Sequence, residues 1–544
     1  MEQNGNVVRE ESFSQICLKI YAGVISVAVL AILVVFPLFY RNYYFDILQS
    51  KYKFYYITMI AMFSVILLLS LAFLVVDALE FRLVHVKSLL SRFSLKSLKS
   101  PRDMQGVMYW LLIIFLVVCI ISTCQSDYLY ESFWGNEGRY SGLFLHLIYI
   151  FGFLIVSRLY RVKEWHLWLF LAVGMFPLLF GITDYFKMDI LNFKEEISSK
   201  DINAFTSTFG NINTYATFVG ILFGMLSVLF VTEKKPWRAI LYFIGYIITV
   251  FSMIMANSDN GILAFGLIFA FLPLLCLNFL QGVERYLWLL SGFFAACHSI
   301  SWISVKMDGR VLKLEGVCKV LASLKFALPV AVFFGLLAFS FHVFRTLQTK
   351  KNGRQTEELD KRYLKIWIVF LVICFCTGMF ILYDANWGGH SERYGALSNY
   401  LHFTDEWGTY RGMVWRISFE SYAKQPFGHK LWGFGLDTFG VMTREYRAMT
   451  SSVNGQVYDS AHNEYLQYLV SVGPIGLLAY IGFLATALYI IIQRAKDNQW
   501  GIAIAAGVTC YLVQALVTIN LPIVTPIMWM LLSIGVANVK KFSQ

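Results

Sequence analysis

Runs of about 18 or more apolar residues recur along almost the whole of this 544-residue chain. Each is a candidate transmembrane helix. Only 15% of the residues are charged, where a soluble domain carries about 25%. No separate polar stretch is long enough for a soluble domain of ordinary size. The chain therefore reads as one all-α polytopic membrane domain over 1–544, in contact with a lipid bilayer. The first run, near Val24 to Leu38, has no small-residue cleavage site behind it and reads as a retained helix.

Spans are expected near 16–39, 55–78, 107–124, 142–160, 165–184, 212–231, 238–256, 260–280, 285–303, 323–343, 364–384, 463–493, 500–519 and 523–539. The stretch 285–343 is the hardest to divide, so the expectation is about 12–14 transmembrane helices. The run 463–493 is too long for one straight span, and Gly473-Pro474 is the expected break.

The net charge of +11 raises the question of nucleic acid, and its distribution answers against it. The basic residues cluster in short loops: Arg82, Lys87, Arg92, Lys96, Lys99 and Arg102; Lys234, Lys235 and Arg238; and Arg345, Lys350, Lys351, Arg354, Lys361, Arg362 and Lys365. Arg494, Lys496, Lys540 and Lys541 follow. With both termini placed in the cytoplasm, every such cluster falls on the cytoplasmic side, as the positive-inside tendency requires. The nine cysteines lie mostly in apolar runs with no CxxC pair, as small buried hydrophobes do.

This layout exposes one large extracytoplasmic loop, 385–462, before a late helix. It holds His390, Arg393, His402, Arg411, Arg416, His429, Lys430, Arg444, Arg447 and His462. Basic residues in a long outer loop are either simply solvated or an anion site at the membrane face.

Four segments carry the chemistry. In Asp459-Ser460-Ala461-His462-Asn463-Glu464-Tyr465-Leu466, Asp459 or Ser460 is the expected helix N-cap, which places His462 in the first turn. The positive end of the helix dipole disfavours imidazolium there, and a neutral imidazole is what a general base needs. A histidine that caps or packs locally is the alternative.

In Tyr410-Arg411-Gly412-Met413-Val414-Trp415-Arg416, a helix puts Arg411 and Trp415 on one face and turns Arg416 about 140° away. The two arginines then serve different partners, each gripping phosphate or snorkelling at the interface. Arg139, between glycines and aromatics in 133–142, is placed to meet a lipid head group, although an ordinary aromatic belt explains Trp134 and Tyr140. Thr208-Phe209-Gly210-Asn211-Ile212-Asn213 makes a turn into a helix.

No P-loop, GxSxG, HExxH, metal–nucleotide DxD pair or metal-ligand spacing is present. Charges are nearly absent from the middle of the spans, which argues against an ion relay through the bilayer.

Taken together, the four segments resemble the O-antigen ligase and polymerase superfamily. His462-Asn463-Glu464-Tyr465-Leu466 running into Gly473-Pro474-Ile475-Gly476-Leu477 is similar to its most typical stretch. Arg411 to Trp415, continuing through Pro426 to Gly433-Phe434-Gly435, is similar to its arginine–tryptophan and GxG stretch. Residues 208–213 resemble its TFGNPN element, with Ile212 where proline is common, and Arg139 to Gly142 resembles its early outer-loop arginine. The resemblance covers roughly 105–535; the stretch 285–345 and the helix count depart from it.

The resemblance implies a GT-C-like helical fold in a bacterial cytoplasmic (inner) membrane. It implies transfer of a glycan from a polyprenyl (undecaprenyl) diphosphate carrier to a glycan, lipid or protein hydroxyl on the outer face. No nucleotide sugar, metal or other cofactor is implied. His462, Arg411 and Arg139 are then the expected catalytic residues, with Arg416, Arg393, Asn463, Tyr410 and Asn211 binding substrate. His462 acts as base or orienting group, held by Asn463. The arginines stabilise the leaving diphosphate, and direct attack inverts the anomeric centre. A polymerase and a ligase are not separable from these residues. The alternative from another class is a flippase or exporter of lipid-linked glycans, which predicts two similar halves and charges lining a central cavity.

Overall fold

The structure, a computed structural model, describes residues 2–86, 103–136, 138–198, 201–352, 358–495 and 498–538. Lys87, Arg92, Lys96, Lys99, Arg102, Glu137, Arg354, Lys496, Lys540 and Lys541 lie outside the described residues.

A helix falls on each of the fourteen expected spans. Among the described residues ten are long and apolar enough to cross a membrane. These are Phe13–Leu38, Ile47–Glu80, Met104–Gln125, Glu164–Tyr185, Ile212–Thr232, Pro236–Met255, Leu280–Lys306, Ala327–Gln348, Lys361–Asn386 and Glu464–Arg494. Leu143–Leu159, Gly261–Cys276 and Thr525–Ala537 are shorter apolar helices, and Gln499–Gln514 occupies the remaining position. The chain is thus a multi-pass helical membrane protein by the length and apolarity of its helices.

Burial sorts these helices into a centre and a rim. Ile212–Thr232 is apolar all round and almost wholly buried, as a central helix must be. At the rim, Lys361–Asn386 exposes Ile366, Phe370, Ile373, Phe375 and Phe380, side chains that hydrocarbon suits and water does not. The stretch that resisted division is a helical hairpin, Leu280–Lys306 against Ala327–Asn352, joined through the short helix Gly316–Ala322. Its buried Glu284 carboxylate accepts from Arg345 Nε (2.7 Å) and from His342 Nδ1 (2.9 Å).

Glu464–Arg494 breaks where expected. Gly473 has φ +68° and ψ 178°, and Pro474 brings no amide hydrogen. The carbonyls of Val470 and Ser471 thereby lose their helical donors. Phe434 N–H and Gly435 N–H donate to them instead (3.0 and 3.2 Å), and Ser122 Oγ adds a bond to Ser471 O (2.5 Å). A Cβ on Gly473 would sit 2.2 Å from the Leu431 carbonyl oxygen, so only glycine allows this approach. The break is the seam on which 433–435 docks.

One feature differs from expectation. A two-residue antiparallel ribbon, Phe205–Thr206 with Gly210–Asn211, interrupts the otherwise helical chain. Asp184 accepts from Thr206 Oγ1 and Ser207 N–H at its turn. The stretch 385–462 has structure of its own. It folds into short helices, the longest being Trp407–Lys424, around an apolar cluster of Val414, Phe439, Met442, Ala461, Leu466 and Val470. Leu466 and Val470 belong to the helix Glu464–Arg494, so this small core is shared with the late helix.

Candidate functional site

The start of Glu464–Arg494 organises the site. Asn463 is the N-cap, its Oδ1 accepting from Tyr465 N–H and Leu466 N–H (both 3.0 Å). This corrects two expectations. Neither Asp459 nor Ser460 caps the helix, and His462 precedes the cap instead of lying in the first turn. Asn463 spends its side-chain oxygen on the backbone and not on the imidazole.

Neighbouring bonds explain the geometry. Ala461 N–H donates to Gln467 Oε1 (2.9 Å), and Ala461 O accepts from Trp415 Nε1 (3.1 Å). With both sides of Ala461 held, the chain turns at His462, whose φ is +49°. Such a backbone is uncommon outside glycine and collects at functional sites.

The His462 ring is half-buried and meets Tyr458 edge to face, with centroids 5.9 Å apart. Among the described residues no protein group hydrogen-bonds its nitrogens. Burial, reinforced by Arg139 and Arg411, pushes its pKa down to about 3. The imidazole is thus neutral, for a reason other than a helix dipole.

Arg411 is where the regular part of Trp407–Lys424 begins, because Gly408, Thr409 and Tyr410 all have φ between +60° and +68°. Its Nε donates to Val517 O (3.1 Å) and its Nη1 to Gly408 O (2.6 Å). Among the described residues no carboxylate lies within ion-pair distance of it. Burial lowers its pKa from the ordinary value, and Asp259 of the 257–260 loop opposes that electrostatically.

Arg139 is held differently. Its Nε and Nη2 both donate to Asp459 Oδ1 (3.0 and 2.6 Å). The turn that carries it is clamped by Asp437, whose Oδ2 accepts from Asn136 N–H (2.7 Å) and Ser141 N–H (2.9 Å). Asp437 is buried, and burial pushes its pKa up to about 7 against the pull of those two amides. Beside Arg139 lies a small cavity of about 30 Å³, lined also by Asp437, Ser460, Glu464, Tyr468 and Asn520. Among the described residues Ser460 Oγ and Asn520 Oδ1 have no hydrogen-bond partner, which makes the cavity a place for water.

The structure thus brings His462, Arg411 and Arg139 together from three segments. Tyr410 joins them, near Tyr458. The remaining candidates are engaged elsewhere. Arg416 turns away from Arg411, as the helical spacing predicts, and is taken by Asp405 (2.9 and 2.7 Å) and Glu420 (2.9 Å). Those carboxylates raise its pKa, and Asp405 is lowered in return. Arg393 is exposed and lies 3.7 Å from Asp384, which also accepts from His390 Nδ1 and Tyr394 OH. Asn211 caps Ile212–Thr232 through Asn213 N–H (2.8 Å). Thr208 is likewise structural. Its Oγ1 donates to Pro37 O (2.7 Å), beside the buried Lys51 ammonium that caps Phe36 O at 2.7 Å.

Sequence reasoning missed Asp437, Asp259 and the pairing of Asp459. Arg139 and Asp459 are 320 positions apart, and no local pattern joins them. Among the described residues no three His, Cys, Asp or Glu side chains are grouped to hold a metal ion.

The sequence matches no family model, and no curated protein matches it.

Proposed function

We propose that the protein is a membrane glycosyltransferase of the O-antigen ligase and polymerase type, moving a glycan from a polyprenyl diphosphate carrier to an acceptor hydroxyl. One observation carries this reading. A neutral imidazole with unpartnered nitrogens lies within electrostatic reach of two guanidiniums, and one of these, Arg411, is bound only to backbone carbonyls. A partly buried guanidinium that makes no ion pair within contact distance can seat an anion, and a guanidinium matches phosphate bidentately.

The chemistry follows from the charges. The acceptor oxygen attacks the anomeric carbon and gives its proton to a base at the site, and the bond from that carbon to the carrier diphosphate breaks with its electron pair going to the diphosphate. Arg411 and Arg139 stabilise that growing charge. His462 orients the acceptor or donor by hydrogen bonding. Attack from the face opposite the leaving group inverts the centre. A site flanking the ends of the helices Glu464–Arg494 and Gln499–Gln514 suits a donor whose tail stays in lipid. By this reading the site faces the outside of a bacterial cytoplasmic membrane, with both termini in the cytoplasm.

The test is a strain lacking this gene, resupplied with wild type, His462→Ala or Arg411→Ala at equal protein levels. Loss of long surface glycan with carrier-linked units accumulating on the outer face supports transfer. Single accumulated units indicate a polymerase and long carrier-linked chains a ligase. Normal glycan from both variants sinks the assignment. Accumulation on the inner face in the deletion strain makes the protein a transporter.

A further inference from the structure

We propose that Asp459 is the carboxylate that Arg139 gives up when the donor's diphosphate binds, and that the released carboxylate then takes the proton of the acceptor hydroxyl. The inference rests on the transferase reading above.

The two guanidiniums of the site are not equivalent. Arg411 donates only to backbone carbonyls, whereas Arg139 is ion-paired to a carboxylate of its own protein. That occupation is of a kind a ligand can replace. Both Arg139 donors converge on one oxygen, Asp459 Oδ1, and both side chains stay reachable, at 22% and 31% exposure. A diphosphate offers several oxygens and more charge than one carboxylate oxygen.

The geometry also says which partner moves. The Arg139 turn is clamped at Asn136 and Ser141 by the buried Asp437. Asp459 lies in the irregular stretch 455–463, three residues before His462. Its Oδ2 would lie 2.9 Å from a Cβ at position 138, where the chain has glycine. So the carboxylate leaves and the turn stays.

Released there, the Asp459 carboxylate is three residues from His462 on the same irregular stretch. It offers the acceptor a charged oxygen where His462 offers a neutral nitrogen. An imidazole held neutral by burial and two cations orients well and accepts protons poorly. In the step, the acceptor oxygen bonds to the anomeric carbon as the carbon–oxygen bond to the diphosphate breaks, and the acceptor's proton moves to Asp459. Departure of the diphosphate lets Asp459 lose that proton to water and return to Arg139.

The test uses full-length protein in lipid nanodiscs. Farnesyl diphosphate is the binding probe, and lipid-linked glycan extracted from the deletion strain is the turnover substrate. Asp459→Asn is expected to bind the probe up to about fivefold more tightly, since a competing partly exposed ion pair is gone. Turnover is expected to fall by about a hundredfold or more. Asp459→Glu restores part of the turnover. A merely structural aspartate predicts weaker binding, so unchanged or weaker probe binding overturns the exchange. Turnover within a few-fold of wild type overturns the proton role. Should Asp459→Asn fail to fold, Asp459→Ser is read the same way, and failure of both makes the pair structural and ends the proposal. Failure of the transferase reading looks different: wild type then ignores farnesyl diphosphate, or Arg411→Ala binds it equally well.

Discussion

Phe434 N–H donates at 3.0 Å to Val470 O, the carbonyl that Pro474 leaves without a helical donor. Two motifs 36 positions apart are thereby one structural unit. Gly473→Ala would bring a Cβ to within 2.2 Å of Leu431 O at a backbone φ of +68°. The expected cost is about 1–3 kcal/mol or more. It should lower the thermal midpoint in detergent and reduce glycan transfer, because the seam sets where 433–437 and Arg139 stand.

Asn463 tests whether the cap and the chemistry are separate. Asn463→Ala removes the acceptor for two amides and should cost about 1 kcal/mol, whereas Asn463→Asp keeps the cap. Amide exchange at Tyr465 and Leu466 should speed up in the alanine variant only. If both variants lose transfer with unchanged exchange, Asn463 touches substrate.

Two groups tilt stability with pH in opposite directions. His462 falls from 6.5 to about 3 on folding, so its contribution is present above about pH 6.5 and is lost as pH drops toward 3. Asp437 rises from 3.8 to about 7, so its contribution is present below about pH 4 and is lost as pH climbs through 7. Thermal midpoints across pH 4 to 8 should show it. The two windows overlap between about pH 4 and 6.5, where the slopes oppose each other, so His462→Gln should make the midpoint fall more steeply with rising pH and Asp437→Asn should make it rise. A slope change of the opposite sign in either variant rejects the assignment.

Arg411 and Arg416 should differ sharply. Arg411→Ala is expected to slow transfer by about a hundred- to a thousandfold, as loss of one charge-stabilising donor does. Arg411→Lys should rescue little, since its Nε and Nη1 serve two carbonyls in different directions. Arg416→Ala removes an exposed pair with Asp405 and Glu420 and should cost less than about 1 kcal/mol of stability, with transfer nearly intact. Equal losses from Arg411→Ala and Arg416→Ala would show that the helix, not the Arg411 seat, matters.

Much of this architecture was legible in the chain. Apolar runs such as 212–231 and 364–384 mark helices because hydrocarbon allows few other shapes for the backbone. They do not tell that Ile212–Thr232 is central and Lys361–Asn386 at the rim, since both are apolar all round. The break at Gly473-Pro474 was legible because it is a property of two residues. The partners that satisfy it were not.

The same division holds at the site. By itself the sequence determined the helical membrane class, the break in the late helix and the opposite headings of Arg411 and Arg416, because each follows from local backbone chemistry and periodicity. Only the tertiary structure decided that Asn463 and not Asp459 caps the helix, that Asp459 holds Arg139 across 320 positions, and that His462 is neutral through burial and two cations. Those outcomes depend on which distant groups share a desolvated space, and no local pattern encodes that.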